Sequence, residues 1–299
     1  MVCAVRFAHA QNMTGPDLCF IRIGRPPWRP IKRIIMKIFH VDAFTNELFK
    51  GNTAGVVIIE NNDIDKSYKQ KIAFELNHPE TAFVTIGNGT YSIQWFSPKR
   101  EVDICGHATL AAAHVLWENG INSKKENIIF NSNSGDLLIK YDNGRICMNF
   151  PQLFVGECAI NKEVIDSLGI LPIYMARNEK RYLIEIEKEI DLRNMNPNMN
   201  TLISCDRLGY MVTCRSESCK YDFLSRFFAP SIGINEDPVT GSSHCYLAPY
   251  WGKKLNINKM IGFQASERTG VVECELIEGN RVILMGYAKT FYSAEIKHL

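Results

Sequence analysis

The amino-acid sequence predicts an α+β fold in which two homologous β-barrel-like domains each wrap around one central buried helix. Three observations carry that prediction. The tract "HATLAAAHVLWEN" (107–119) is apolar at 108, 110–113 and 115–117, which covers every side of a helix, and such a helix must be enclosed by other structure. Most segments around it are short, β-branched or aromatic, and end in Gly- and Asn-containing turns, so strands make the enclosure. The arrangement then occurs twice. "WFSPKREVDICGHATLAAAHVLW" (95–117) is echoed by "FFAPSIGINEDPVTGSSHCYLAPYW" (227–251), and Gly106, Gly135 and Gly144 recur 135 residues on as Gly241, Gly270 and Gly279. Matches in order at one offset mark an internal duplication.

The elements follow in chain order. Residues 1–35 look foreign to the rest, because the three prolines of "GRPPWRP" (24–30) fix φ and remove donors. Their Arg-rich, acid-poor composition allows a transit peptide, but the prolines oppose the amphipathic helix such a peptide needs. The simpler reading is an extension outside the fold, disordered on composition, with the folded unit starting at Met36. Strand "GVVII" (55–59) precedes an outer amphipathic helix, "DKSYKQKIAFEL" (65–76). Strands "TAFVTI" (81–86) and "YSIQWF" (91–96), joined by a "GNG" turn at 87–89, lead to the buried helix. Strands "NIIF" (127–130), "DLLIKY" (136–141) and "RICMNF" (145–150) follow, the last two joined by "DNG" at 142–144. The second copy ends in the same strand–turn–strand, "TGVVECELIEGNRVILMGY" against "SGDLLIKYDNGRICMNF". The first domain is therefore placed at 36–150, with 287–299 available to complete it, and the second at 151–286.

Bulk properties narrow the partners. A chain of 299 residues is long for one core and natural for two. With 46% hydrophobic and 22% charged residues it has the composition of an ordinary soluble globular protein. Residues 1–35 hold six basic residues against Asp17, a balance of +5; the whole carries +2, so the body carries −3. A mildly acidic body gives no electrostatic reason to bind nucleic acid. No apolar run approaches the roughly 18 residues that span a bilayer, so no membrane partner is expected. The ten cysteines follow no secretory signal, and Cys214 and Cys219 lack a second pair of ligands, so they read as reduced thiols of a cytoplasmic protein.

Duplication also says where chemistry should lie. Each buried helix starts with a glycine and a polar residue, Gly106-His107 and Gly241-Ser242, preceded by an acid, Asp103 and Asp237. Helix starts present unpaired N–H groups and the positive end of the dipole, a ready anion cradle, and glycine lets a ligand approach the backbone. If the domains face one another, both starts aim into one cleft. A metal site is not expected, since His114 and Glu118 lie two and three turns deeper along the helix than His107. Cys105 is a candidate proton carrier, because a helix start lowers a thiol pKa. Its counterpart is Thr240, which excludes paired thiols. For His107 a packing or capping role stays open. Glu80 sits where "FELNHPETAFVTI" (74–86) turns from helix to strand; partial burial there would raise its pKa toward neutrality, as a general acid/base needs, and a solvated surface glutamate is the alternative. No nucleotide fingerprint, P-loop or metal cluster appears, so no cofactor is implied.

The stretches "FHVDAFTNELFKGN" (39–52), "ETAFV" (80–84), "EVDICGHATLAAAHVL" (101–116) and the echo at 227–251 resemble the phenazine-biosynthesis-like (PhzF) isomerase family, close to its animal phenazine biosynthesis-like domain-containing members. The resemblance covers Met36 to Leu299 and implies the diaminopimelate-epimerase-like fold. It implies Glu80 as the acid/base, His107 and Asp237 as residues that orient substrate and support proton transfer, and Gly106, Gly241 and Ser242 as donors to it. Related epimerases use a cysteine from each half, so a sequence with Cys105 alone points to the isomerase branch. Thr53 and Gly55 stand where the family has Pro and Ala, and Pro79 where a Ser precedes the glutamate, which leaves the substrate open. The expectation is a cofactor-independent isomerase of a small carboxylate-bearing metabolite, compatible with a homodimer. An epimerase pairing Cys105 with Glu80 and a non-catalytic adaptor of the same fold are the alternatives.

Overall fold

The computed structural model describes residues 36–60, 64–87, 89–205 and 209–296. The extension at 1–35 lies outside the described residues. The first half runs β1 (Met36–Ala43), β2 (Asn52–Glu60), α1 (Lys66–Leu76), β3 (Glu80–Gly87), β4 (Thr90–Phe96), the two-residue β5 (Glu101–Val102), α2 (Gly106–Glu118), β6 (Ile128–Ser132), β7 (Gly135–Asp142) and β8 (Arg145–Pro151). The second runs β9 (Gly156–Glu157), α3 (Lys162–Leu168), β10 (Pro172–Arg177), β11 (Arg181–Ile186), α4 (Glu189–Asn194), α5 (Met199–Ser204), β12 (Gly209–Arg215), β13 (Phe223–Phe228), α6 (Gly241–Leu255), β14 (Lys259–Gln264), β15 (Gly270–Ile277) and β16 (Arg281–Gly286). A final strand, β17 (Ala288–Ile296), closes the description.

Strand pairing repeats as the sequence does. One row runs β17-β1-β2-β3-β4-β6-β7-β8 and the other β9-β10-β11-β12-β13-β14-β15-β16. In both rows the third and fourth strands are parallel, as are the fifth and sixth, and all other neighbours are antiparallel. The rows join where β8 pairs with β16. One end strand crosses over: β17 follows β16 but pairs with β1, Met36 facing Ile296, whereas β9 pairs with β10 of its own half.

The tract at 107–119 forms α2, and Ala111, Ala112 and Ala113 are fully buried, as a helix apolar on every side requires. α6 is its counterpart, with Trp251 fully buried and its Nε1 donating to Thr213 Oγ1 at 2.9 Å. Both helices share one hydrophobic core. α1 lies outside it, started by the Asp65 carboxylate accepting from the Ser67 N–H and stopped at left-handed Asn77, and covers Val57, Phe83 and Phe96. No helix among the described residues is long and apolar enough to cross a membrane.

The halves interlock at Phe44, which follows β1 and is fully buried. A Cβ on Gly286 would stand 2.6 Å from its ring, so glycine is required there. The Asp42 carboxylate of β1 accepts from Arg268 Nη2 at 2.7 Å on the other half.

Candidate active site

Glu80 is the first residue of β3, delivered to its place by the α1 stop at Asn77 and by Pro79. Asn52 opens β2, and Ala54, two residues on, stands opposite Glu80 in the parallel ladder. Cys105 and Thr240 are the cap residues of α2 and α6, and neither side chain closes its helix start. Asp237 lies in the loop before α6. Glu80, Gly106, His107, Asp237, Gly241 and Ser242, all singled out in the sequence, line one cavity of about 360 Å³.

Asp103 does not join them. It is exposed, while Val102 and Ile104 line the cavity. At the 135-residue offset Asp237 corresponds to Val102, so the acids that precede the two helix starts do not occupy equivalent positions. The first half's acid is Glu80, from another strand.

A chain of contacts crosses the two halves. Glu80 Oε2 lies 3.4 Å from His107 Nε2. Asn52 Nδ2 donates to Asp237 Oδ1 at 2.8 Å and to the Val239 carbonyl at 2.9 Å. Both amide hydrogens are then used, so the 3.4 Å contact to His107 Nδ1 is no third strong bond. Thr240 Oγ1 donates to Asp237 Oδ2 at 2.5 Å. Gln264, fully buried, accepts from the Thr240 N–H and donates to the Asp237 carbonyl, which fixes the loop onto the helix start.

Burial sets the protonation states. Desolvation, then the Asp237 charge, push Glu80 up to about 7, against a smaller lowering by a hydrogen bond from Cys105. Desolvation raises Asp237 to about 6, held back by its bonds from Thr240 and Asn52. Desolvation lowers His107 to about 4, opposed by a hydrogen bond from the ring to the Thr53 carbonyl. His107 is therefore neutral at pH 7, and its 3.4 Å contact with Glu80 is no ion pair. Burial, reinforced by the Glu80 charge, lifts the Cys105 thiol well above its ordinary range.

The far wall carries Arg181, the first residue of β11, which no sequence signal marked. Its guanidinium stacks on Phe227 at 4.3 Å, and Nη2 donates to Ser242 Oγ at 3.4 Å. No ion pair joins it to a carboxylate among the described residues. Burial lowers its pKa, as expected of a cation short of a counter-charge. Gly209 makes room for it, since a Cβ there would stand 2.3 Å from Nη1. Phe150, Leu153, Ile232 and Ile234 make the rest of the wall apolar.

The two helix-start glycines differ. A Cβ on Gly106 would meet only Phe150, at 4.0 Å, in the cavity lining. One on Gly241 would point at Phe44, 3.5 Å away, between the halves. Gly241→Val is therefore expected to lower Tm by several degrees through overpacking, at a cost of about 1–3 kcal/mol. Thermal unfolding checks this, and an unchanged Tm with impaired ligand binding would show that the side chain enters the cavity instead.

His114 is remote from this cavity, 3.3 Å from Glu118 at the far end of α2. The eight cysteines of the described residues are all free thiols, Cys214 and Cys219 among them.

Comparison with known proteins agrees with the geometry. The family model described as phenazine biosynthesis-like protein (PhzC-PhzF) matches residues 41–294. An uncharacterized isomerase of Halalkalibacterium halodurans is 45% identical over 260 residues, covering 87% of this chain and 97% of its own. The human phenazine biosynthesis-like domain-containing protein is 33% identical over 278 residues, covering 85% and 96%. The crystal structure of a PhzF-family phenazine biosynthesis protein from Enterococcus faecalis superposes with a TM-score of 0.83 at 36% identity, covering 89% of this chain and all of the other. The α+β, epimerase-like fold follows.

Proposed function

Because the chain belongs to the phenazine biosynthesis-like (PhzC-PhzF) family, some of whose relatives are named uncharacterized isomerases, we propose that it is a cofactor-independent isomerase in which Glu80 alone moves a proton on a small carboxylate-bearing substrate. The observation that carries this reading is a buried carboxyl group pushed up to about 7, beside a neutral imidazole, in an apolar cavity whose lining also presents a cation. A group poised near ambient pH can both take and return a proton.

The substrate carboxylate docks between Arg181 and the open start of α6. Its reacting carbons then lie toward Glu80. The glutamate removes a proton from the carbon next to the unsaturated or carboxyl-bearing centre. Negative charge spreads toward the docked carboxylate, where the guanidinium and the helix N–H groups stabilise it in a site with little water. Glu80 returns the proton to another carbon on the same face. His107 holds the Glu80 carboxyl toward the substrate, and Asp237, fixed by Asn52 and Thr240, keeps the second helix start in register with the first. Free thiols throughout the described residues support a reducing, cytoplasmic setting.

The second reading, an epimerase using Cys105 with Glu80, rests on the thiol's place beside His107, Sγ to Nδ1 3.4 Å. Two observations weigh against it. The thiol is buried and hard to ionise, and the opposite helix offers Thr240, whose hydroxyl is already given to Asp237. Cys105→Ala is therefore expected to keep more than half of the turnover. Substrate deuterated at the abstracted carbon should carry part of its label into product in ordinary water, since one base hands back the same proton. Complete washout together with an inactive Cys105→Ala would replace the isomerase by the epimerase.

A further inference from the structure

We propose that Glu80, Cys105 and His107 together form a binding site for a soft divalent cation, zinc foremost, on the first-half wall of the cavity. One donor atom from each lies within 4.8 Å of the other two. Glu80 Oε2 to His107 Nε2 is 3.4 Å, and Cys105 Sγ to the same nitrogen is 3.9 Å. Tetrahedral zinc with ordinary bond lengths sets these edges at about 3.3 Å for oxygen to nitrogen and about 3.5 Å for sulfur to nitrogen. The third edge, Cys105 Sγ to the Glu80 carboxylate, is bounded at 4.8 Å against about 3.5 Å in such a tetrahedron. Sγ also lies nearer Nδ1, at 3.4 Å, than Nε2, so a turn of the Cys105 and Glu80 side chains by about an ångström or more closes the triangle.

The donor set is also right in kind. Thiolate, imidazole and carboxylate suit zinc, while magnesium and calcium prefer all-oxygen shells. Two anionic ligands cancel the charge of the dication, so the occupied site adds no net charge to a desolvated corner. A fourth position opens into the cavity for a water molecule or a substrate carboxylate. Binding releases the thiol proton, and the carboxyl proton from molecules that hold it, to solvent; no electron moves. The spacing along α2 could not reveal this site, because its third ligand comes from β3.

The site itself needs no assumption about turnover. Its consequence, that zinc stops the proton transfer by taking Glu80 as a ligand, rests on the isomerase reading. Cobalt(II) is the probe for the site, because thiolate ligation gives a charge-transfer absorption in the near ultraviolet. Titration of the metal-free full-length protein with cobalt chloride should saturate at one equivalent with that band, and zinc chloride should displace it while magnesium chloride does not. Cys105→Ser should abolish the band, and His107→Gln and Glu80→Gln should each weaken cobalt binding at least tenfold, with circular dichroism confirming that the variants are folded. Absence of a saturable band in the wild-type protein, or a band that survives in Cys105→Ser, overturns the site. Either result leaves the isomerase reading intact, and an active Glu80→Gln would remove that reading while leaving the metal site.

Discussion

Glu80→Gln is expected to cut turnover by two to four orders of magnitude, and to raise the melting temperature at pH 8 but not at pH 4. The first effect is what a general acid/base contributes when its transferable proton is removed and its shape is kept. The second follows from linkage. Glu80 titrates near 7 when folded and near 4.5 when unfolded. Below pH 4.5 both states hold the proton, and above about 7 neither does. In between the folded state binds more protons, so stability falls as pH rises through that window, by on the order of 3 kcal/mol in total. Glutamine has no charge to bury and escapes the loss. The variant should therefore melt roughly 5–10 °C above the wild type at pH 8, with near coincidence at pH 4. Differential scanning fluorimetry at the two pH values tests this without a known substrate. An equal gap at both would mean that Glu80 is an ordinary solvated carboxylate, and full turnover by the variant would end its catalytic role.

How much of this was legible in the sequence depended on whether the signal was local. The buried helices and the strands around them declared themselves through composition and period, and the 135-residue offset found both helix starts. Glu80 was legible because a lone acid between a helix stop and an apolar strand is anomalous. Asn52 was quoted only as part of a stretch, because an asparagine at a strand start looks like turn chemistry until Asp237, 185 residues on, is seen to accept from it. Gln264 and Arg181 left no trace, since their meaning lies wholly in which strands become neighbours. Asp103 misled for the opposite reason, being close in sequence to the right position and on the wrong side of the chain. The crossing of β17 onto β1 was likewise beyond any local pattern, although residues 287–299 had been held available for the first half.

Arg181→Gln is expected to weaken binding of a small monocarboxylate about 10–100-fold while leaving the protein as stable as before, or more so. The argument starts from the repeat. In the first half, β3 opens with Glu80, facing Ala54 of β2; in the second, the matching strand β12 opens with Gly209, facing Arg181 of β11. Where one half keeps an acid, the other has a glycine that lets an arginine lie across it. The duplicated fold has thus been divided, one half holding the proton carrier and the other the anion anchor. A charge-assisted hydrogen bond contributes about 1.5–3 kcal/mol, which sets the size of the loss. Glutamine is shorter and lacks both the charge and the stack on Phe227, and it relieves a half-buried cation with no ion-pair partner among the described residues, so Tm should hold or rise. Lysine restores the charge without the planar fork, and should recover part of the affinity. Titration with benzoate against benzamide, by calorimetry on wild type, Arg181→Gln and Arg181→Lys, separates the charge from the apolar body of the ligand. Equal benzoate affinity in wild type and Arg181→Gln would move the anchor to the helix N–H groups alone, and with it the orientation that points the reacting carbons at Glu80.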